Sequence, residues 1–276
     1  MSLMALVTMT MMSSCLSVNL NGGDYDTTPT QVPEMNKVTA VQSFDKVSVV
    51  NSFKVIYEQG TEHSVRVEAS EQAFKEMTVY VKDGELRIRK AVKKTSPMVS
   101  FSDVKLYVTS PDIKGIDIAG SGMFAASNKI EVANDLDIDI AGSGEVMLVD
   151  LNCKDIHMEI AGSGSIEMGN LVTRNAKANI AGSGDINLGI MSCNKFNIEI
   201  AGSGNVNCDN ITADDVDTDI AGSGNVTLKG KVKNPTQEIV GSGKVNYEEL
   251  TNHSACNLRV SHGPVFDAGC SKGNPR

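Results

Sequence analysis

Tryptophan is absent from this chain, and aromatic residues of any kind fill only 4% of its 276 positions. Rings that could stack on sugar faces are therefore scarce. This weakens carbohydrate recognition through aromatics without excluding recognition through polar groups. A basic excess is also missing. Lys and Arg number 25 against 34 Asp and Glu, for a formal charge of −9, which argues against nucleic acid as a partner. The four histidines, His63, His157, His253 and His262, have no metal-ligand spacing. No nucleophile elbow, P-loop or dinucleotide fingerprint occurs. No apolar run is long enough to span a bilayer, since Leu3 to Met12 is too short for a transmembrane helix.

Glycine is what the chain has in quantity, and its placement is regular. Seven Gly-Ser-Gly corners begin at Gly120, Gly142, Gly162, Gly182, Gly202, Gly222 and Gly241, with steps of 22, then 20 four times, then 19. The first six corners read Ile-Ala-Gly-Ser-Gly. A period near 20 marks a stacked repeat in which each unit is too short to bury a face alone. Around the second corner, Ile138 and Ile140 alternate with Asp137 and Asp139, and Val146 and Leu148 alternate with Glu145 and Met147. That is strand patterning on both sides of a turn. Leu151 and Ile156 add a third apolar patch, and helical periodicity is absent.

A sharp corner between strands requires positive φ or close backbone approach, and glycine supplies both. The corner glycines are Gly120 and Gly122, Gly142 and Gly144, Gly162 and Gly164, Gly182 and Gly184, Gly202 and Gly204, Gly222 and Gly224, and Gly241 and Gly243. The serines between them should form a column, with hydroxyls bonding along it or to the turn backbone. Aligning the corners yields apolar columns: Ile118 through Ile239 before them, Phe124 through Val245 and Ala126 through Tyr247 after them. The expected fold is all-β: a parallel β-solenoid of about seven coils, roughly 34 Å long at strand spacing. Right-handed winding is the expectation for parallel crossovers.

These repeats, preceded by the Phe44-to-Gly60 stretch and the Leu86–Ile88 strand, resemble the head GIN domain family of auto-transporter adhesins over about Val38 to Leu250. The resemblance implies a β-helical, secreted or lipid-anchored domain. It brings no catalytic residues with it.

The chain divides accordingly. Residues 1–15 read as a lipoprotein signal: an apolar segment followed by Met12-Ser13-Ser14-Cys15, with Cys15 as the lipid-bearing residue, although no Lys or Arg precedes the segment. Residues 16–36, rich in Ser, Thr, Asn, Gly, Asp and Pro, form a tether. Residues 37–112 are a β-rich part without the repeat, read as a cap, with a hairpin at Asp83-Gly84. Residues 113–250 are the solenoid, and 251–276 cap its other end against edge pairing. Cys153 and Cys193 fall in one column two coils apart, about 9.6 Å by strand spacing and beyond disulfide reach. Both read as core, as does Cys208, whereas Cys256 and Cys270 are able to pair.

One outward column is nearly all acidic: Asp117, Asp139, Glu159, Asn179, Glu199, Asp219 and Glu238. Neighbouring carboxylates at strand spacing repel by about 1 kcal/mol even in water. The column reads either as a solvated face that discourages association, with Lys177 relieving repulsion, or as a cation-binding or basic-partner face. Its candidate metal pair is Glu199 with Asp219, a weak calcium site at best because two carboxylates are too few ligands. Gly182 to Leu188 bears a faint likeness to calcium-binding nonapeptide turns, which the 20-residue period opposes. Asn187, Asn207, Thr227 and Asn246 suggest a hydrogen-bonding ladder. Acids that recur instead of converging, and one arginine, Arg174, between Gly115 and Leu250, leave little for a polysaccharide enzyme. The expected function is a non-enzymatic adhesion or binding module of the cell envelope, lipid-anchored at the outer membrane or surface. It would need no cofactor and would take a protein or glycan ligand. An inert scaffold is the alternative, and a polysaccharide-active enzyme comes third.

Overall fold

The computed structural model describes residues 33–91 and 99–248, together with the backbone of Asn257 and Leu258. Cys15, most of the tether, Cys256, Cys270 and nearly all of the expected C-terminal cap lie outside the described residues. The elements run Thr39–Ala40 (β1), Lys46–Asn51 (β2), Lys54–Gln59 (β3), Ser64–Glu68 (β4), Glu71–Lys75 (α1), Met77–Lys82 (β5), Glu85–Lys90 (β6) and Lys105–Ser110 (β7). The repeat follows as Gly115–Gly120 (β8), Met123–Glu131 (β9), Leu136–Gly142 (β10), Glu145–Asn152 (β11), Asp155–Gly162 (β12), Ser165–Val172 (β13), Asn175–Gly182 (β14), Asp185–Gly202 (β15), Asn205–Gly222 (β16), Asn225–Gly241 (β17), Lys244–Glu248 (β18) and Asn257–Leu258 (β19).

Period-two patterning dictates strands, and parallel register stacks them into a β-solenoid of about seven turns. One face pairs β8, β10, β12, β14 and the second half of β15 in succession, with Ile118, Ile140, Ile160, Ile180 and Ile200 on consecutive rungs. The next face pairs β9, β11, β13 and the first half of β15, stacking Phe124, Val146, Ile166 and Ile186. In β13 the inward alternation breaks at Gly169 and Asn170, both exposed, before Leu171 turns in again, so each turn bends once more without leaving the strand. Leu171 stands between Leu151 and Met191 in the third inward column. Phe196, fully buried, sits one rung from Ala176, whose small side chain leaves room for the ring.

The corner glycines do two different jobs. Gly182 has φ +133°, and a Cβ there would lie 2.3 Å from the carbonyl oxygen of Gly162. Gly184 needs no positive φ. A Cβ on it would meet Ile160 Cγ2 at 2.6 Å and Gly164 O at 2.7 Å. The first glycine is thus required by conformation and by space, the second by space alone. The serines are exposed, and the backbone carries the bonds between turns: Ser183 N–H donates to Gly162 O at 2.8 Å, and Asp185 N–H to Gly164 O at 3.1 Å. No bond from a corner-serine hydroxyl is found among the described residues, contrary to the expected hydroxyl column, because the apex hydroxyls face solvent.

The N-terminal part departs from expectation more fully. Lys46–Gln59 is no separate cap but a further turn of the same stack. Val47 and Val49 pair with Ile116 and Ile118, and Val55 pairs with Phe124. Asn51 takes the place of the first corner glycine, opposite Gly120, with φ +87°. Asparagine is among the few side-chain-bearing residues that tolerate this region. Beyond this turn, β6 and β7 add another layer, closed by antiparallel β5 and β4. The β5–β6 hairpin turns at Asp83 and Gly84, both at positive φ. The only helix among the described residues is α1, capped by Ser70, whose hydroxyl accepts from Ala73 N–H. None is long and apolar enough to cross a membrane.

Cys153, Cys193 and Cys208 are unpaired and buried. Thr173 lies between the first two, 3.7 Å from Cys153 Sγ. Burial pushes the thiols of Cys153 and Cys208 up to about 11 and that of Cys193 to about 12, so all three are unreactive near neutrality.

Gly182→Val combines a β-branched side chain with a positive-φ site and a blocked Cβ position. It should destabilise by about 2–4 kcal/mol, whereas Ser183→Ala should change stability by less than about 0.5 kcal/mol. Urea unfolding of both variants checks the contrast, and equal midpoints would refute a conformational requirement at Gly182.

Candidate functional site

Parallel, in-register stacking converts any repeated outward residue into a column. On the face built from β8, β10, β12, β14 and the second halves of β15, β16 and β17, the column three residues before the corner runs Asp117, Asp139, Glu159, Asn179, Glu199, Asp219, Glu238. The pairing extends it backward through Ser48 to Arg87, so it is bounded by a cation at its N-terminal end. Beside it runs a second column, Asp137, His157, Lys177, Asn197, Asp217.

Electrostatics differ along this face. Asp117 and Asp139 are half-buried neighbours, and their carboxyls are each pushed up to about 6. Desolvation is the larger cause. For Asp117 the charges of Asp139, Glu85 and Asp137 add to it and Lys46 opposes it; for Asp139, Glu159 and Asp137 add and Lys46 again opposes. Asp219 is also raised, by desolvation and then by Asp217, Glu238 and Glu199. The middle of the face is relieved: Asn179 interrupts the acids and its Nδ2 lies 3.1 Å from His157 Nε2, and Lys177 Nζ is 3.1 Å from Glu199 Oε1. Glu199 and Asp219 do stand on adjacent rungs, but the lysine engages Glu199. Among the described residues no group of three or more His, Cys, Asp or Glu side chains is close enough to hold a metal ion.

The adjoining face carries amides. Asp185 Oδ1 accepts from both the backbone N–H and the Nδ2 of Asn205, at 3.1 and 2.8 Å, and Asn225 Nδ2 donates to Asn205 Oδ1 at 3.0 Å. Asn207 Nδ2 likewise donates to Asn187 Oδ1 at 3.0 Å. The result is one ladder, Asp185–Asn205–Asn225, beside a single Asn187–Asn207 rung. The residues after the Gly182 corner thus bond to the next turn. Reading from sequence missed the column of Asp185, Asn205 and Asn225, although the residue following each corner was its signal. It also missed two cation–π stacks in the N-terminal part, Arg66 over Tyr107 at 3.8 Å and Arg89 over Tyr80 at 5.0 Å.

Taken together, a stacked β-solenoid with its polar groups spread over flat faces defines the class. The chain belongs to the family described as "Putative auto-transporter adhesin, head GIN domain", whose model matches residues 43–193 and 189–262. Among solved structures, it is similar to a putative adhesin from Bacteroides fragilis, with a TM-score of 0.65 and 21% identity over 76% of this chain and 95% of that one. A putative adhesin from Parabacteroides distasonis gives a TM-score of 0.64 at 18% identity, with the same coverage of both chains, 76% and 95%. A protein from the same organism described as a putative lipid binding protein gives 0.60 at 23%, again covering 76% and 95%. No curated protein matches.

A carboxyl whose folded value is raised binds more protons in the folded than in the unfolded state. The stability this pair contributes is therefore present in full below about pH 4 and lost as pH rises through about 6. Asp117→Asn combined with Asp139→Asn should raise stability at pH 7 by about 1–3 kcal/mol after allowance for solvent screening. It should also flatten the decline in melting temperature between pH 4 and 7. Parallel pH-dependent melts of the two proteins decide the matter, and identical profiles would refute the assignment.

Proposed function

We propose that the chain is a non-enzymatic adhesion module of the cell envelope. Lipid on Cys15 would hold it at the outer membrane or cell surface, and its flat solenoid faces would meet a protein or glycan ligand. Family membership supports the coarser reading of a binding domain of the surface or envelope. The observation that carries the finer one is the arrangement of chemistry in columns. Catalytic carboxylate pairs flank a bond and have their pKa values driven apart. Asp117 and Asp139 instead lie side by side on one flat face, raised together by the same desolvation. That arrangement supports a binding face over a catalytic pair. Adhesion needs breadth and regularity, and the hydrogen-bonded Asp185–Asn205–Asn225 ladder and the acidic column supply both.

The lipid anchor rests on Met12-Ser13-Ser14-Cys15 and the polar stretch that follows it. Cys15→Ala should move the protein from the membrane to the soluble fraction and abolish labelling by a fatty-acid probe. Unchanged fractionation without label on the wild type would refute the anchor. For the ligand, the full chain should be presented to a broad glycan array and to immobilised surface proteins, with and without calcium. Saturable binding to a defined subset is the expected outcome. Absence of binding under every condition would favour an inert scaffold, and calcium-dependent binding would restore the Glu199–Asp219 pair as a metal site.

A further inference from the structure

Charge is segregated along the face that carries the acidic column. In space this face runs over β6, β2, β8, β10, β12, β14 and the second halves of β15, β16 and β17. At its N-terminal end the outward side chains include Lys46 on β2 and Arg87 and Arg89 on β6, and Arg89 stacks on the Tyr80 ring. Glu85 is the one acid within those two strands. At the C-terminal end stand Asp217 and Asp219 on β16 and Glu238 on β17, all exposed. Beside the two charged columns runs a third of alanine, from Ala119 to Ala221 on six consecutive rungs, ending at Val240, which is 57% exposed. The face is therefore low along one side and opposite in charge at its two ends.

We propose that this face docks on the same face of a second copy of the chain, the two rods running antiparallel about a two-fold axis over β12. Charge complementarity selects this occupant. A two-fold axis along the strand direction reverses the order of the strands and keeps each column opposite itself. β6 then faces β17, β2 faces β16 and β10 faces β14. Arg87 meets Glu238, Lys46 meets Asp217, and Asp137 meets Lys177, each pair occurring twice by symmetry. Ala141 meets Ala181, so no large side chain holds the two sheets apart along that column. Asp117 faces Glu199, which Lys177 already engages, and Glu159 faces its own copy, so the match is best away from the axis. A parallel arrangement would instead lay the acidic lengths of both faces on each other. By strand spacing the shared face is about 40 Å by about 18 Å, roughly 700 Å² on each copy, which reaches the size of a specific interface.

Antiparallel pairing sets the N-terminal layers of the two copies at opposite ends of the pair. Taken with an anchor at Cys15, on which this consequence rests, copies carried on facing surfaces overlap in this way and each is the other's ligand. The Asp185–Asn205–Asn225 ladder lies on the adjoining face and stays uncovered in both copies. The pairing itself needs no lipid.

The test is sedimentation velocity on the full chain carrying Cys15→Ala, which leaves this face untouched. In low salt it should show a reversible monomer–dimer equilibrium at micromolar concentration, weakened about tenfold or more in high salt. The sign is diagnostic. A chain of formal charge −9 without opposed poles would associate more readily as salt screens its repulsion. Lys46→Glu/Arg87→Glu should be monomeric, and so should Asp217→Lys/Glu238→Lys. Mixing the two should restore pairing as a heterodimer, since each contact then joins opposite charges again, and that rescue also shows that both variants fold. If either does not fold, the salt dependence of the parent chain still decides. A parent chain that stays monomeric in low salt, or dimerises more tightly as salt rises, overturns the proposal. So does a monomer captured by phosphatidylglycerol vesicles and released by Lys46→Glu/Arg87→Glu, which would assign the basic end to a lipid surface. Beads coupled to the chain through its N-terminus should aggregate under the same low-salt conditions. Dispersed beads beside an intact solution dimer would overturn the contact between surfaces alone.

Discussion

Everything in this molecule depends on one missing atom, repeated. At the first glycine of each corner the next turn comes so close that a Cβ at Gly202 would stand 2.2 Å from the carbonyl oxygen of Gly182. That approach lets the following serine N–H reach a carbonyl one turn back at 2.8 Å, at all six steps between the Gly-Ser-Gly corners. The bond fixes the axial rise, and the fixed rise obliges each side chain to meet its counterpart in the turn before. Columns of isoleucine are therefore a consequence of the corner as much as a cause of stability. A residue that packs well against its own kind at strand spacing can be used again in every turn.

The same rule applies outside, where its effect is unfavourable. A carboxylate repeated in register meets another carboxylate, and the chain answers by local substitution. Asn179 breaks the acidic run, Lys177 reaches Glu199, and Ser48 with Arg87 ends the column. At Asp117 and Asp139 burial first, and then the neighbouring carboxylates, outweigh the opposing charge of Lys46, and the carboxyls shift up to about 6. Amides avoid the conflict, since asparagine both donates and accepts and can bond to a copy of itself indefinitely.

Much of this was legible in the sequence. The Gly-Ser-Gly period identified the coil, and the residues flanking each corner sorted correctly into inward and outward, because a parallel stack repeats its contacts. Phe196 and Cys208 could be placed in the core by column alone. The turn at Asn51 was less visible, because Asn51-Ser52-Phe53 shares only its serine with the repeat. The alternation Val47, Val49, Val55, Tyr57 was present, but without glycine nothing fixed its register. The acidic column was legible as a list of residues. Its charge state was not, since that depends on how far Asp117 sinks between Ser48 and Asp139, and Lys177 could be seen as a neighbour but not as the partner of Glu199. The serine hydroxyls were misjudged, because a corner's apex faces water whenever its backbone already supplies the bonds between turns.

The turn formed by β2 and β3 lies between β6 and β7 on one side and β8 and β9 on the other, although β4 through β7 come between them in the chain. Among the described residues, spatial order and chain order therefore disagree only at this end. A polypeptide that emerges N-terminus first presents Val47, Val49 and Val55 long before either flanking layer exists. Those strands stay unpaired on both edges until Glu85–Ser110 folds outward and Gly115 returns past them. From Gly115 onward each new turn needs only the one already made. The topology thus has a non-local beginning followed by stepwise stacking: a chain ending before Glu85 leaves both edges of the β2–β3 turn without partners, and one ending between Ser110 and Gly115 leaves only the edge that β8 and β9 take.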